Sequence, residues 1–516
     1  MFKLIHLHRE VSRSNQPQSI RFAKNNEEPF VGQLKTLAGQ TAVYGLSSIV
    51  GRLLNYLLVP IYTRIFAPED YGVVSEFYAY ITFLMVILAL GLETAFFHFV
   101  NKKQKQDNVF GNAQFMLMCS TGFITLLLLV FSHSIATFLG YPDHAEYVQW
   151  LALIMAFDTL TMLPFARLRQ QNKPFRFAMI KLVGIFMNIA LNVLFLLIFP
   201  KYFPGLIDPT IGIGYVFLAN LAASGITLIL LFPELRSMKF DIDKALIREM
   251  LIYGFPILIA GFAGMINETL DRAILKYLIT DKSIAMQQLG IYSACYKLSI
   301  LMTLFVQTFR YAADPFYFSQ QHKENSKKLF ANVMNYFVLV GCIIFLGVMY
   351  YLDIVKHFIG EKYFEGLKVV PVLLAANLFL GIYLNMSIWY KLSGNTRYGA
   401  WLSIIGAIIT IVFNLWLIPI MGYMGSAWAT FICYVSMMLL SYWKGQKVFP
   451  IPYETGKIIF LLISTFIFWQ GFELLKSNLE ISSATGWILG GVLLLVYFAA
   501  MWRMLGGRGK FSLLKK

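Results

Sequence analysis

GRLLNYLLVPIYTRIFAPEDYG, residues 51–72, decides how the chain is to be read. Its first part completes an apolar run over 41–63, long enough to cross the roughly 30 Å hydrocarbon core of a bilayer as a helix. Yet Arg52 lies inside that run, 11 residues beyond Thr41, or about 16 Å along a helix axis. An ionised side chain at mid-bilayer costs roughly 2.5–3.5 kcal/mol on insertion scales, so it persists where it meets water, a counter-ion or a ligand.

The rest of the chain supports a membrane reading. Of 516 residues, 58% are hydrophobic and 14% charged; soluble domains carry about 25% charge. Mean hydropathy is +0.64. Apolar runs recur to Leu505, and the polar segments between them are too short for a soluble domain. The net charge of +16 is spread over many short loops rather than gathered in one patch, which argues against nucleic acid. Cys119, Cys295, Cys342 and Cys433 all fall within apolar runs and have neither metal nor disulfide-framework spacing. Residues 1–36 are polar and basic, lack a signal-peptide core, and read as a cytoplasmic tail.

Fourteen spans are predicted: 41–63, 73–99, 110–138, 147–166, 177–199, 211–232, 250–275, 286–314, 329–351, 369–390, 398–418, 423–443, 458–474 and 483–502. With the N-terminus in the cytoplasm, the tails and even-numbered loops hold 30 of the 43 Lys and Arg. The opposite loops hold 8, and 5 lie within spans. Positively charged loops stay inside, and losing one span would invert every later loop, so this asymmetry supports an even count with both termini cytoplasmic.

The two halves resemble each other. RLRQQNKPFRFAMIKLVGIFMNIALNVLFLLIFP, from Arg167, matches YKLSGNTRYGAWLSIIGAIITIVFNLWLIP, from Tyr390. Each has a turn asparagine (Asn172, Asn395), a second asparagine (Asn192, Asn414) and a closing proline (Pro200, Pro419). YGLSS at 44 matches YGFPI at 253, and YGVVS at 71 matches LGIYS at 289. A shift of six spans preserves orientation, so the repeat is parallel, with its axis along the membrane normal. The expected fold class is an all-α polytopic membrane protein of fourteen transmembrane helices. It comprises a tail (1–36), two pseudo-symmetric six-helix bundles (37–240 and 241–447), and helices 13–14 with a basic tail (448–516). Two such bundles imply a cavity between them near mid-membrane.

LNYLLVPIYTRIFAPEDYGVVSEF, LGIYSACYKLSIL and GNTRYGAWLSIIGAIITIVFNLWLIP together resemble the polysaccharide-transporter branch of the multidrug/oligosaccharidyl-lipid/polysaccharide superfamily, the Wzx-type flippases. The resemblance covers about residues 38–505. It implies that helices 1, 2, 7 and 8 line a central cavity and that spans 13 and 14 are additions. It also implies a substrate: an oligosaccharide of O-antigen, capsule or exopolysaccharide on a polyprenyl pyrophosphate, moved across the bacterial inner membrane. Further implied partners are membrane lipids and the pathway's polymerase and glycosyltransferases. A lipid II flippase and a cation-coupled multidrug exporter are the alternatives within the superfamily.

The charges inside spans are the candidate site. Arg52 is either paired with a carboxylate such as Glu268 or Asp158, or serves as a cavity cation for pyrophosphate, which a guanidinium's fixed donors suit. Asn55, three residues on and so on the same helix face, is a sugar ligand candidate. Lys297, about 11 residues into span 8, is a second mid-depth cation. Arg310 and Lys181 lie nearer the cytoplasmic ends, where long side chains snorkel. In NETLDR at 267–272, Glu268 and Arg272 are spaced i,i+4 and can neutralise each other; otherwise Glu268 or Asp271 is a coupling site for H⁺ or Na⁺. Asp158 and Glu93 are further coupling candidates, with His98 beside Glu93. No metal cluster and no cofactor motif are present in the sequence, and there is no Walker A loop. An enzyme alternative, a polysaccharide polymerase or ligase, is disfavoured because the longest outward loop, near 352–368, has about 17 residues.

Overall fold

The structure is a computed structural model that describes residues 50–51, 53–102, 106–238, 241–321, 323–478 and 483–506. Arg52, the N-terminal tail, the start of span 1 and the basic C-terminal tail lie outside the described residues. Among the described residues the chain is helical and contains no β-strand. Among the described residues, twelve helices are long and apolar enough to cross a membrane, and a shorter apolar one occupies the place of span 6. Span 1 is described only from residue 50.

The N-terminal half runs through α1 (Val59–Ile65), α2 (Pro68–Ala89), α3 (Leu92–Lys102), α4 (Gln106–Val130), α5 (Ser132–Leu139), α6 (Ala145–Gln170), α7 (Pro174–Val193) and α8 (Gly214–Leu230). Pro68 opens α2 with Glu69 and Asp70 in its first turn, where a proline lacks no needed N–H and acids favour the positive helix end. Span 2 is broken at Leu90 and Gly91, whose φ angles of 50° and 66° are left-handed. The C-terminal half comprises α9 (Lys244–Leu278), α10 (Lys282–Tyr296), α11 (Ile300–Gln320), α12 (Ser326–Tyr350), α13 (Val370–Met386), α14 (Arg397–Met421) and α15 (Tyr423–Val448). Asp243 and Asp281 cap α9 and α10, each accepting from two backbone N–H groups. The last two helices, α16 (Thr455–Asn478) and α17 (Ser483–Met504), pack on α12. Phe472 stacks there on Tyr350, and Trp469 meets Phe345 edge-on. Phe138 and Phe175 are 80% and 77% exposed. An apolar surface this extensive, on helices of this length, is the surface of a protein in lipid.

Helix lengths depart from the apolar runs. Span 8 is predicted at 286–314, but its helix extends over Lys282–Gln320, because polar first and last turns continue beyond the hydrocarbon. Span 6 is predicted at 211–232, but its helix is the 17-residue α8. The segment expected as an outward loop near 352–368 is ordered, with 3₁₀ turns at Lys356–Phe358 and Glu361–Val369.

The aligned glycines of the two halves touch. A methyl group on Gly290 would come within 1.8 Å of the Pro68 carbonyl oxygen, and one on Gly72 within 2.3 Å of the Met286 carbonyl oxygen. Each glycine thus packs on the carbonyl four residues before its counterpart, as a two-fold contact requires. Only a residue without Cβ permits α2 and α10 to approach this closely. The repeat asparagines also behave alike. Asn192 and Asn414 are fully buried, and each side-chain amide donates to a carbonyl four residues earlier, Asn188 O or Thr410 O, at 2.8 Å.

This contact belongs to the end carrying the Lys/Arg-poor loops, where the halves are sealed. Gly360 N–H donates to Thr63 Oγ1 at 3.0 Å, Tyr363 OH to Phe66 O at 3.1 Å, and Arg64 Nη2 to His357 O at 2.7 Å. A buried ion pair completes the seal. Lys276 Nζ lies 3.1 Å from both oxygens of Glu76 and 2.5 Å from Leu139 O. Tyr80 and Tyr141 donate to the same carboxylate at 2.7 and 2.6 Å. At the opposite, Lys/Arg-rich end, Gly254 packs against Leu90 O and Gly91, and Tyr253 stacks on His98 with ring centroids 4.2 Å apart.

Candidate functional site

Below the seal lies a cavity of about 580 Å³. Asn55 enters it from the first span, Tyr71, Ser75 and Tyr78 from α2, and Asp158 from α6. Asn188 and Asn220 come from α7 and α8, Glu268 and Arg272 from α9, and Ser293 from α10. Lys297 reaches it from a break in span 8. The α-helix stops at Tyr296, a 3₁₀ turn covers Lys297–Ser299, and helix resumes at Ile300. Such a mid-helix 3₁₀ turn is where a span bends, and it sets Lys297 against the ring of Tyr56, 5.2 Å from its centroid. Arg272 makes the matching contact, its guanidinium 4.2 Å from the centroid of Tyr296. Cation–π contacts of this kind orient a cation without neutralising it.

No ion pair within 4.0 Å joins Lys297, Arg272, Glu268 and Asp158, all four of which are described. The sequence spacing had Glu268 and Arg272 neutralising each other; in the structure Arg272 turns to Tyr296 and the cavity instead. The i,i+4 spacing brings Cβ atoms close but does not fix where two long side chains point. Asp271, the neighbouring acid, is buried and committed: it accepts from Tyr292 OH at 2.5 Å and from the backbone N–H of Arg272 at 2.8 Å. Asn267 ties α9 to α14 through Ser403 O at 3.1 Å. Asn220 donates to Tyr78 OH at 2.8 Å. Ser293 Oγ is buried without a hydrogen-bond partner, a polar atom facing a site that has room for one.

Two further cavities adjoin. One, of about 490 Å³, shares Asn55, Asp158, Asn188 and Asn220 with the first and adds Lys181 and Glu93. Lys181 there lies 5.4 Å from the centroid of Phe165. Glu93, expected beside His98, forms an ion pair with Arg169 from α6, while His98 is stacked on Tyr253. The other, of about 460 Å³, shares Glu268 and contains Arg310. Thus Asn55, Lys297, Glu268 and Asp158 line one cavity, while Lys181 with Glu93 and Arg310 line its neighbours; Asp271 is packed away. Sequence reasoning did not single out Arg272 as a cavity cation, nor Ser293, nor the Glu76–Lys276 pair. Glu76 is an acid within a predicted span, which was the available signal.

These features define a polytopic membrane protein with the fold of a transporter, its halves meeting around a polar, charged cavity. The chain belongs to the polysaccharide biosynthesis protein family, whose model matches residues 37–321, within the multidrug/oligosaccharidyl-lipid/polysaccharide superfamily. Among solved structures it is similar to the lipid II flippase MurJ in an inward closed conformation, with a TM-score of 0.71 at 15% identity, over 90% of this chain and 99% of that one. It is also similar to a multidrug resistance MATE family transporter of the same superfamily. The inward-facing form gives a TM-score of 0.60 at 13% identity, covering 79% of this chain and 94% of that one. The outward-facing form gives 0.56 at 13%, covering 80% and 95%. A search of curated protein sequences gave no match.

Proposed function

We propose that the protein is a flippase that moves a polyprenyl-pyrophosphate-linked oligosaccharide, a unit of O-antigen, capsule or exopolysaccharide, across the bacterial inner membrane by alternating access. The observation that carries this reading is the pair of cations, Lys297 and Arg272, facing one cavity between the halves with no carboxylate at ion-pair distance among the described residues. A pyrophosphate would bring oxygens that match a guanidinium's fork and a lysine's point charge, in a cavity that also holds Glu268 and Asp158. The polyprenyl tail stays in lipid while sugars occupy the polar cavity. Both termini are cytoplasmic in this reading, so the end closed by Gly72 and Gly290 faces outward, and the end where Gly254 meets Leu90 and Gly91 faces the cytoplasm. Arg52 is a further cation candidate on the first span. Glu268, which borders two cavities, is the best placed coupling group for H⁺ or Na⁺; Asp158 is the second. The protein is a transporter rather than an enzyme, and it works alongside the pathway's glycosyltransferases and polymerase. A drug exporter for organic cations is the second reading, because Glu268, Asp158 and tyrosines line the same cavities; Lys297 and Arg272 in the lining favour an anionic substrate.

Gene deletion in the host tests this. Loss of surface polysaccharide with intact peptidoglycan supports it. Arrested peptidoglycan synthesis with normal surface glycans would favour a lipid II flippase. Reduced cationic dye efflux with normal glycans would favour a drug exporter.

A further inference from the structure

The cavity of about 460 Å³ in the C-terminal half is richer in tyrosine than its neighbours. Five tyrosines line it, Tyr56, Tyr296, Tyr383, Tyr390 and Tyr434, together with Gln307, Glu268 and Arg310; Asn267 and Asn377, also in the lining, already donate to Ser403 O and Leu373 O. The cavity of about 490 Å³ in the N-terminal half has no tyrosine in its lining and instead holds Glu93, Asp158, Arg169 and Lys181. Halves related by a repeat therefore differ here in aromatic content. Tyrosine rings with amides suit one class of ligand well. A sugar ring offers C–H groups on its faces and hydroxyls on its rim. An aromatic face is electron-rich and receives the C–H groups, while the phenol hydroxyl remains a polar handle. Amides donate and accept at once, as a hydroxyl does. The volume is that of a small-molecule pocket.

Its position adds the second argument. Tyr56 and Tyr296 are the rings on which Lys297 and Arg272 rest. The same two rings line the tyrosine cavity, and Glu268 lines both cavities. An anion held by the two cations is therefore one residue's width from the tyrosine wall. In a sugar-pyrophosphate lipid, the first sugar is bonded directly to the outer phosphate.

We infer that the tyrosine-lined cavity of the C-terminal half is the subsite for the first sugar of the lipid-linked substrate, distinct from the cationic subsite that holds its pyrophosphate. The inference rests on the flippase reading above. It separates two recognition tasks: charge at Lys297 and Arg272, and sugar at Tyr383, Gln307 and their neighbours.

Binding to the full-length protein in nanodiscs tests it, with three probes: undecaprenyl pyrophosphate, and the same lipid bearing N-acetylglucosamine or galactose. At least one sugar-bearing probe should bind about tenfold more tightly than the bare lipid, a difference of about 1.4 kcal/mol. Tyr383→Leu and Gln307→Leu should each erase most of that tenfold gain and leave bare-lipid affinity within about twofold of wild type. Tyr383→Phe, which keeps the ring and the packing, should retain most of it. Lys297→Ala should instead weaken all three probes together. Equal binding of bare and sugar-bearing lipids by the wild type would overturn the inference and leave the flippase reading standing. Parallel loss for all probes in Tyr383→Leu and Gln307→Leu would overturn it too. Failure of every probe to bind would overturn both.

Discussion

The Glu76–Lys276 pair and the cavity around Lys297 and Arg272 both place charge where the two halves meet. They treat it in opposite ways. At the sealed end the Glu76 carboxylate takes Lys276 across both oxygens and a hydroxyl on each, from Tyr80 and Tyr141. Lys276 in turn reaches Leu139 O and lies 4.2 Å from the centroid of Tyr141. Desolvating two ions costs several kcal/mol each, and only such complete hydrogen bonding offsets it. In the cavity, Lys297 and Arg272 have aromatic rings beneath them; Glu268 and Asp158 share the lining, but among the described residues neither cation is in an ion pair. The first arrangement holds two bodies together; the second keeps charge available. A transporter needs both, since the seal must break for the cavity to empty on the other side.

The comparison can be broken most severely at the glycine contact. Gly290→Ala places a methyl 1.8 Å from the Pro68 carbonyl, a backbone clash that no rotamer relieves, and the halves must part. Translocation should fall by more than about tenfold, the factor of about 1.4 kcal/mol that a clash of this kind readily exceeds. A cysteine placed at Ser75 in the cavity should then react with an impermeant thiol reagent from the sealed side. An unreactive Ser75→Cys in the Gly290→Ala background would show that the contact does not close the protein.

Glu76→Gln comes next. It leaves the Lys276 ammonium buried without its counter-ion, at a cost of about 3–5 kcal/mol. A clear fall in melting temperature in detergent is expected, and Glu76→Gln with Lys276→Met should recover most of it. If the double variant melts as low as the single one, the pair is not what stabilises this end. A smaller loss, about 1 kcal/mol, should follow Tyr62→Phe, which removes the hydroxyl donating to buried Asn192 at 2.8 Å. The smallest stability effect, within about 0.5 kcal/mol, belongs to Lys297→Met, because no carboxylate loses a partner. A large drop in melting temperature there would mean that Lys297 is structural and the contrast false.

Much of the fold could be read from the chain. Span order, the position of Arg-rich loops and the pairing of YGVVS with LGIYS all follow from apolar runs and repeat spacing, and the last pairing located the glycines that touch. The breaks inside spans were less visible. Neither the left-handed break at Leu90 and Gly91 nor the 3₁₀ turn at Lys297–Ser299 was read from the apolar runs, which pass through both without interruption. The site was legible in kind but not in partnership. Intramembrane charges stood out, yet Glu76 and Lys276 are 200 residues apart, and Glu93 and Arg169 are 76 apart, so no local spacing rule connects them. For Arg272 the local i,i+4 rule offered Glu268 as one possible partner, while its ring contact with Tyr296 comes from the neighbouring span.

The most direct test of the central claim is translocation itself. Purified protein reconstituted in vesicles should move a fluorescently tagged sugar-pyrophosphoryl-undecaprenol between leaflets far faster than empty vesicles do. Lys297→Met combined with Arg272→Met should reduce that rate by at least about a hundredfold, the loss expected when two charge-assisted contacts of about 1.5–3 kcal/mol each are removed, while the protein melts as the wild type does. Lys297→Arg, which keeps the charge, should retain part of the rate. Wild-type translocation by the double variant would contradict the account.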